Sequence, residues 1–180
     1  MHVRRTAAAL AALTAMGLVG SAQGAWASPG PAGHGGKGHE TRVVQSNVVS
    51  DIPGLAPLTD PHLVNPWGLS FLPTSPIWIS NAGTSTATLI SGAPPATPNA
   101  IVPLVVNIPA GPPSGQVSNT TTGFVVSSAL GSGPARFIFA GLGGSITAWN
   151  PAAAPTDALV MATTPGASYT GLTMLTLSSG

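Results

Sequence analysis

Only 5% of the 180 residues are charged, against about 25% in an ordinary soluble domain, while Gly (23) and Pro (19) together make up nearly a quarter of the chain. Cys is absent, which excludes disulfide scaffolds, thiolate metal sites and cysteine nucleophiles. The formal net charge is +1, and without the N-terminal Arg4 and Arg5 only Lys37, Arg42 and Arg136 face Glu40, Asp51, Asp60 and Asp157; three scattered cations exclude a nucleic-acid surface, which needs clustered Lys and Arg to displace counterions from phosphates.

Residues 1–27 have the three parts of a secretory signal. His2, Arg4 and Arg5 lead, an apolar run covers Ala7 to Gly20, and Ala25-Trp26-Ala27 supplies a small-x-small cleavage site. The run of 14 residues is short of the ~20 that span a bilayer, and no longer apolar run follows it. The expectation is therefore a secreted, extracellular chain with no membrane span after cleavage behind Ala27. Residues 28–40 (SPGPAGHGGKGHE) hold no hydrophobic side chain larger than Ala and read as a disordered linker. His34, Lys37 and His39 in it form a solvated spacer rather than a metal site, and Gly35-Gly36-Lys37-Gly38 lacks the Ser or Thr and the preceding strand of a phosphate loop.

From Thr41 onward, short β-branched or aromatic runs alternate with turn residues, and the i, i+3, i+4 apolar spacing of a helix is missing. The expected strands are 42–49, 67–71, 77–80, 87–91 and 102–108, then 123–127, 135–140, 145–149 and 158–163, with a further one over 169–177. Gly followed by a large apolar residue opens each unit, at Gly68-Leu69, Gly123-Phe124 and Gly171-Leu172, 55 and 48 residues apart. Within the units Pro76-Ile77-Trp78-Ile79 corresponds to Arg136-Phe137-Ile138-Phe139. Four strands per unit of about 45–50 residues is the pattern of a propeller blade. One blade cannot bury both of its faces alone, which is the physical reason for repetition. The fold class expected is all-β, a β-propeller fragment of about two and a half four-stranded blades behind a signal peptide and linker. Within 41–180, blade 1 covers about 67–108, blade 2 about 123–163, and blade 3 starts at about 169–180. A β-sandwich with evenly spaced strands is the competing architecture. Trp67, Trp78 and Trp149 read as packing between blades, with an aromatic sugar platform as the sharper alternative.

Four stretches, VVSDIPGLAPLTDPHLVNPWGLSF (48–71), PIWISNAGTSTATLIS (76–91), SGQVSNTTTGFVV (114–126) and ARFIFAGLGGSITAWNP (135–151), resemble an uncharacterised conserved family of secreted bacterial β-propeller proteins, grouped loosely with NHL-type and lactonase-like propellers. The resemblance covers most of the chain behind the linker and implies a fold and an extracellular location, but no reaction. Family members are longer, so it also implies that this is an N-terminal fragment, with further blades after Tyr169-Thr170-Gly171-Leu172.

A lactonase-like hydrolase on such a scaffold needs carboxylates and Asn side chains converging on a divalent cation. The polar candidates are Asp51, Asp60, His62, Asn65, Asn81 and Asn150, of which Asp60, His62, Asn65 and Asn81 are the expected binding residues. The commoner use of Asp before Pro is to cap a turn, and that is the expected role of Asp60. Gly111-Pro112-Pro113-Ser114-Gly115 does not have the spacing of a serine nucleophile elbow, and the sequon Asn119-Thr120-Thr121 carries no weight. The function expected is a non-enzymatic binding or scaffold module for a small molecule, carbohydrate or protein, without a cofactor. The alternative is a metal-dependent, lactonase-like hydrolase using calcium or another divalent cation. An uncovered blade face and a free strand edge would also promote self-association.

Overall fold

Short β-branched runs separated by Gly and Pro produce strands and nothing else. The computed structural model describes residues 45–93, 97–175 and 177, and among them there are twelve strands and no helix. These residues belong to one unit, Val44–Gly180. The leader 1–27, the linker 28–40 and the start of the strand expected from Arg42 lie outside the described residues.

β1 (Val49–Ser50) and β2 (Leu58–Thr59) form a short parallel pair. β3 (Pro66–Ser70), β4 (Ile77–Asn81), β5 (Thr86–Ala93) and β6 (Thr97–Asn107) then run as an antiparallel meander, the first sheet. β7 (Pro113–Ser118) opens the second sheet, whose remaining strands are β10 (Phe137–Gly141), β11 (Ser145–Trp149) and β12 (Leu159–Thr163), again antiparallel and again in chain order. The hairpin of β8 (Val125–Ser128) and β9 (Gly131–Pro134) is inserted between β7 and β10. Described residues 164–175 carry no strand, although one was expected over 169–177.

The second sheet differs from the expectation at its first strand. The stretch expected there, Gly123 to Ser127, runs into the hairpin, and Phe124 in it is 58% exposed with φ of 54°. Pro113–Ser118 takes the place instead. Pro at the first position of an edge strand is allowed because no ladder bond needs its missing N–H, but Pro-Ser-Gly-Gln-Val-Ser has a single β-branched residue and so little strand character. The first strands of the two sheets thus open on Pro66-Trp67-Gly68 and Pro113-Ser114-Gly115, 47 residues apart.

Each of these first-strand glycines is needed for a close approach. A Cβ on Gly68 would lie 2.8 Å from the Cβ of Gln116 and 2.9 Å from its backbone N, and one on Gly115 would lie 2.4 Å from the backbone N of Leu172. Backbone can come this near only where there is no side chain. The residue that makes the approach is itself packed on the sheet it approaches: Gln116, near Gly68, bonds to Ser70, Trp78 and Ser80 of the first sheet, and Leu172, near Gly115, packs on the core behind the second.

The alternation of each strand sends one set of side chains to each face. Trp78, Ala87 and Leu89 of the first sheet meet Phe137, Phe139 and Trp149 of the second in one core. Trp78 stacks on Phe137 with centroids 4.2 Å apart and rings at 21°, and meets Trp149 at 4.7 Å. A second core of Val126, Ala135, Ile138, Ala148 and Ala153 lies on the opposite face of the second sheet, under the hairpin. Two polar ties flank the aromatic junction. Gln116 spans the sheets at the β3–β7 side, and at the other side Asn107 Nδ2 donates to Asp157 Oδ1 (3.0 Å) while the two residues form a parallel bridge.

Candidate functional site

The segment that leads into β3 holds three of the four expected binding residues, and the turn chemistry of Asp-Pro positions them. Asp60 is buried (3% exposed). Its Oδ1 accepts the His62 N–H (2.9 Å), its carbonyl accepts the Leu63 N–H (3.1 Å), and its own N–H donates to Ser50 O (2.9 Å). This is an Asp-capped turn around Pro61, the role its sequence context suggests. His62 is exposed, and its carbonyl accepts both the Val64 N–H (2.8 Å) and the Thr84 hydroxyl (2.7 Å).

Asn65 sits in the left-handed region at φ of 51°, which Asn tolerates better than most residues, and its Oδ1 accepts Trp67 Nε1–H (3.1 Å). Its carbonyl takes the Ala82 N–H (3.0 Å), which brings the loop to the end of β4, where Asn81 is the register partner of Pro66. Asn81 is fully buried and donates through Nδ2 to Thr88 Oγ1 (3.0 Å) and Thr86 Oγ1 (3.3 Å). Thr86 Oγ1 lies 2.9 Å from Thr84 Oγ1. Asp60 and Asn81 are therefore linked through the backbone of His62 and the hydroxyls of Thr84 and Thr86, with Thr88 a further partner of Asn81, while the Asn65 side chain bonds Trp67 instead; the sequence reading passed over these threonines. Thr86 and Thr88, two apart on one face of β5, are the signal that could have found part of the set; Thr84 lies in the turn before that strand.

Two acceptors here have no partner among the described residues. Asp60 Oδ2 and Asn81 Oδ1 are both buried and unbonded there, where an unsatisfied polar atom costs about 1–3 kcal/mol. They are hard oxygen donors of the kind calcium prefers, but calcium takes 6–8 oxygens, and no group of three or more His, Cys, Asp or Glu among the described residues could hold a metal ion. Asp51 is exposed just beyond β1, and Asn150 takes no part in this network: its amide donates to Pro134 O (2.6 Å) and its Oδ1 accepts the Ala152 N–H (2.8 Å).

The tryptophans divide. Trp78 and Trp149 are buried at the junction of the sheets, as packing requires, whereas Trp67 is 48% exposed. It is followed along β3 and just past it by Leu69 (59%) and Phe71 (58%), alternate residues on one side of the chain. Beside Leu69, the face of the first sheet turned away from the second is an apolar groove of about 500 Å³ lined by Val48, Val49, Ile77, Ile79 and Ile90. The sequon is spent on structure: Asn119 is buried, and its amide donates to both Gly123 O and Ala135 O.

A scan against protein-family models, a search of curated proteins and a search of solved structures each found no match.

Proposed function

We propose that this is an exported protein built of propeller-type blades, acting as a non-enzymatic binding or scaffold module through stacked sheets rather than through a catalytic centre. The observation that carries the reading is the equivalence of the two sheets. Phe137 and Phe139 of β10 face the first sheet and receive Trp78. Ile77 and Ile79 hold the same places on β4, alternate with Trp78, and line the open apolar groove. The groove thus repeats the surface that, one unit later, accepts a whole four-stranded sheet. Repeat units of this kind bury their faces only by stacking, so a further sheet of the same kind fits here, supplied in solution by a second copy of the chain.

The test is light scattering on the full chain as concentration rises. The wild type is expected to self-associate, and Leu69→Lys with Ile79→Lys to abolish association while leaving the thermal transition in place. A wild type that stays monomeric, or a double variant that associates as before, would sink the reading. A second reading, a lactonase-like metal-dependent hydrolase, is favoured by one feature, the unbonded buried oxygens of Asp60 and Asn81. Melting with and without calcium separates the two: a calcium-dependent rise in Tm that Asp60→Asn removes would support it, and an unchanged Tm leaves the binding module.

A further inference from the structure

A second concavity lies at the other end of β4 and β10 from the Asp60 network. It has a volume of about 410 Å³ and is framed by the loop after β3, the turn after β7 and the residues that enter β10. Its walls are set by two buried asparagines. Asn119 donates to Gly123 O and Ala135 O and accepts from the Thr121 N–H and hydroxyl, while Asn150 ties Pro134 to Ala152. Every one of these bonds is internal, so the amides shape the pocket. The backbone of Arg136 is clamped in the same frame, its N–H on Trp149 O (2.8 Å) and its carbonyl receiving the Asn119 N–H (2.9 Å).

The polar side chains left to contact a ligand are Arg136, Thr74 and Thr120, all exposed in the lining. Arg136 is the only Lys or Arg among the described residues, and none of the acids among them lines the pocket. Asp60 is engaged with its own turn and Asp157 with Asn107 and Thr156. A chain this poor in charge has its one described Lys or Arg in the lining of a concavity of mixed polar and apolar character, where no carboxylate of the described residues lies. The planar fork of a guanidinium matches an oxyanion through two parallel N–H bonds, and hydroxyls beside it suit the hydroxyls of the same solute. A cavity of this volume falls within the range of small-ligand sites.

We infer that this pocket binds a small polyhydroxylated anion of monosaccharide size, held by its carboxylate or phosphate on Arg136 and by its hydroxyls on Thr74 and Thr120. The site is independent of how the open face of the first sheet is covered. Because the guanidinium is exposed, the interaction is screened by salt and is strongest at low ionic strength.

The experiment is a titration of the full chain with glucuronate, glucose 6-phosphate and glucose, followed by saturation-transfer NMR. At least one of the two anions is expected to bind saturably, with the tighter one identifying the preferred oxyanion, and glucose is expected to bind at least tenfold more weakly. Arg136→Gln should lower anion affinity about tenfold or more, the loss of one bidentate charge-assisted contact. Arg136→Lys should retain part of it as a point charge, and Thr120→Val should weaken binding without removing it. All three variants are exposed and should melt with the wild type. Absence of saturable binding by both anions, glucose binding as tightly as glucuronate, or an Arg136→Gln variant that binds like the wild type would overturn the assignment.

Discussion

The first strands of the two sheets occupy the same place in their units and carry opposite chemistry after the close-approach glycine. In β7 the next residue, Gln116, is polar and buried (6% exposed); in β3 it is Leu69, apolar and 59% exposed. Burial here does not follow hydrophobicity residue by residue. Gln116 is buried because the junction it enters satisfies it: Oε1 accepts the Ser80 hydroxyl (2.6 Å) and Nε2 donates to Ser70 Oγ (2.7 Å) and Trp78 O (3.2 Å). A buried polar side chain with its bonds made costs little and fixes which strand meets which. Leu69 stands on the other face, where among the described residues no four-stranded sheet packs and Val48 and Val49 line the same groove. The lesson of the pair is that burial at equivalent positions is decided by what the fold packs against each face, not by the hydrophobicity of the residue alone.

The largest effect expected from breaking this contrast is at the closed junction. Trp78→Ala removes the ring that meets both Phe137 and Trp149, and should cost about 3–5 kcal/mol by chemical denaturation. The matched change on the open face, Ile77→Ala, removes a half-buried side chain and should cost about 1 kcal/mol in dilute solution; equal costs would mean that the face is covered. Gln116→Leu sharpens the comparison by giving β7 the residue of β3. It leaves the fully buried Ser80 hydroxyl and the Trp78 carbonyl without their partner, and should cost about 2 kcal/mol despite the gain in hydrophobicity.

The smallest effect concerns the tie at the outer side of the junction. Hydrogen bonds from Asn107 and then from Thr156 hold the Asp157 carboxyl below its ordinary pKa. A carboxylate depressed in this way adds stability above its unfolded pKa of about 3.9, and that stability is lost as pH falls through the lower folded value. Asp157 is exposed, so the contribution is small. Asp157→Asn should flatten this part of the acid limb of a Tm-against-pH curve without changing Tm at neutral pH by more than a degree or two.

The sequence alone determined the all-β composition, the four strands of the first sheet to within a few residues, and the correspondence of Ile77-Trp78-Ile79 with Phe137-Ile138-Phe139. These rest on local chemistry: β-branched alternation and Gly or Pro punctuation act within a few residues of one another. It also placed Asp60 in an Asp-Pro turn for the same reason. What it did not determine is which glycine opens the second sheet. Gly123-Phe124 imitates Gly68-Leu69 in identity, but Gly115 is the one that a distant segment, Gly171-Leu172, approaches, and approach is a property of two segments far apart in the chain. The same holds for the burial of Gln116, the exposure of Trp67, and the union of Asn119, Arg136 and Asn150 in one pocket. No local pattern records these, because each is decided by which face of one sheet meets the next.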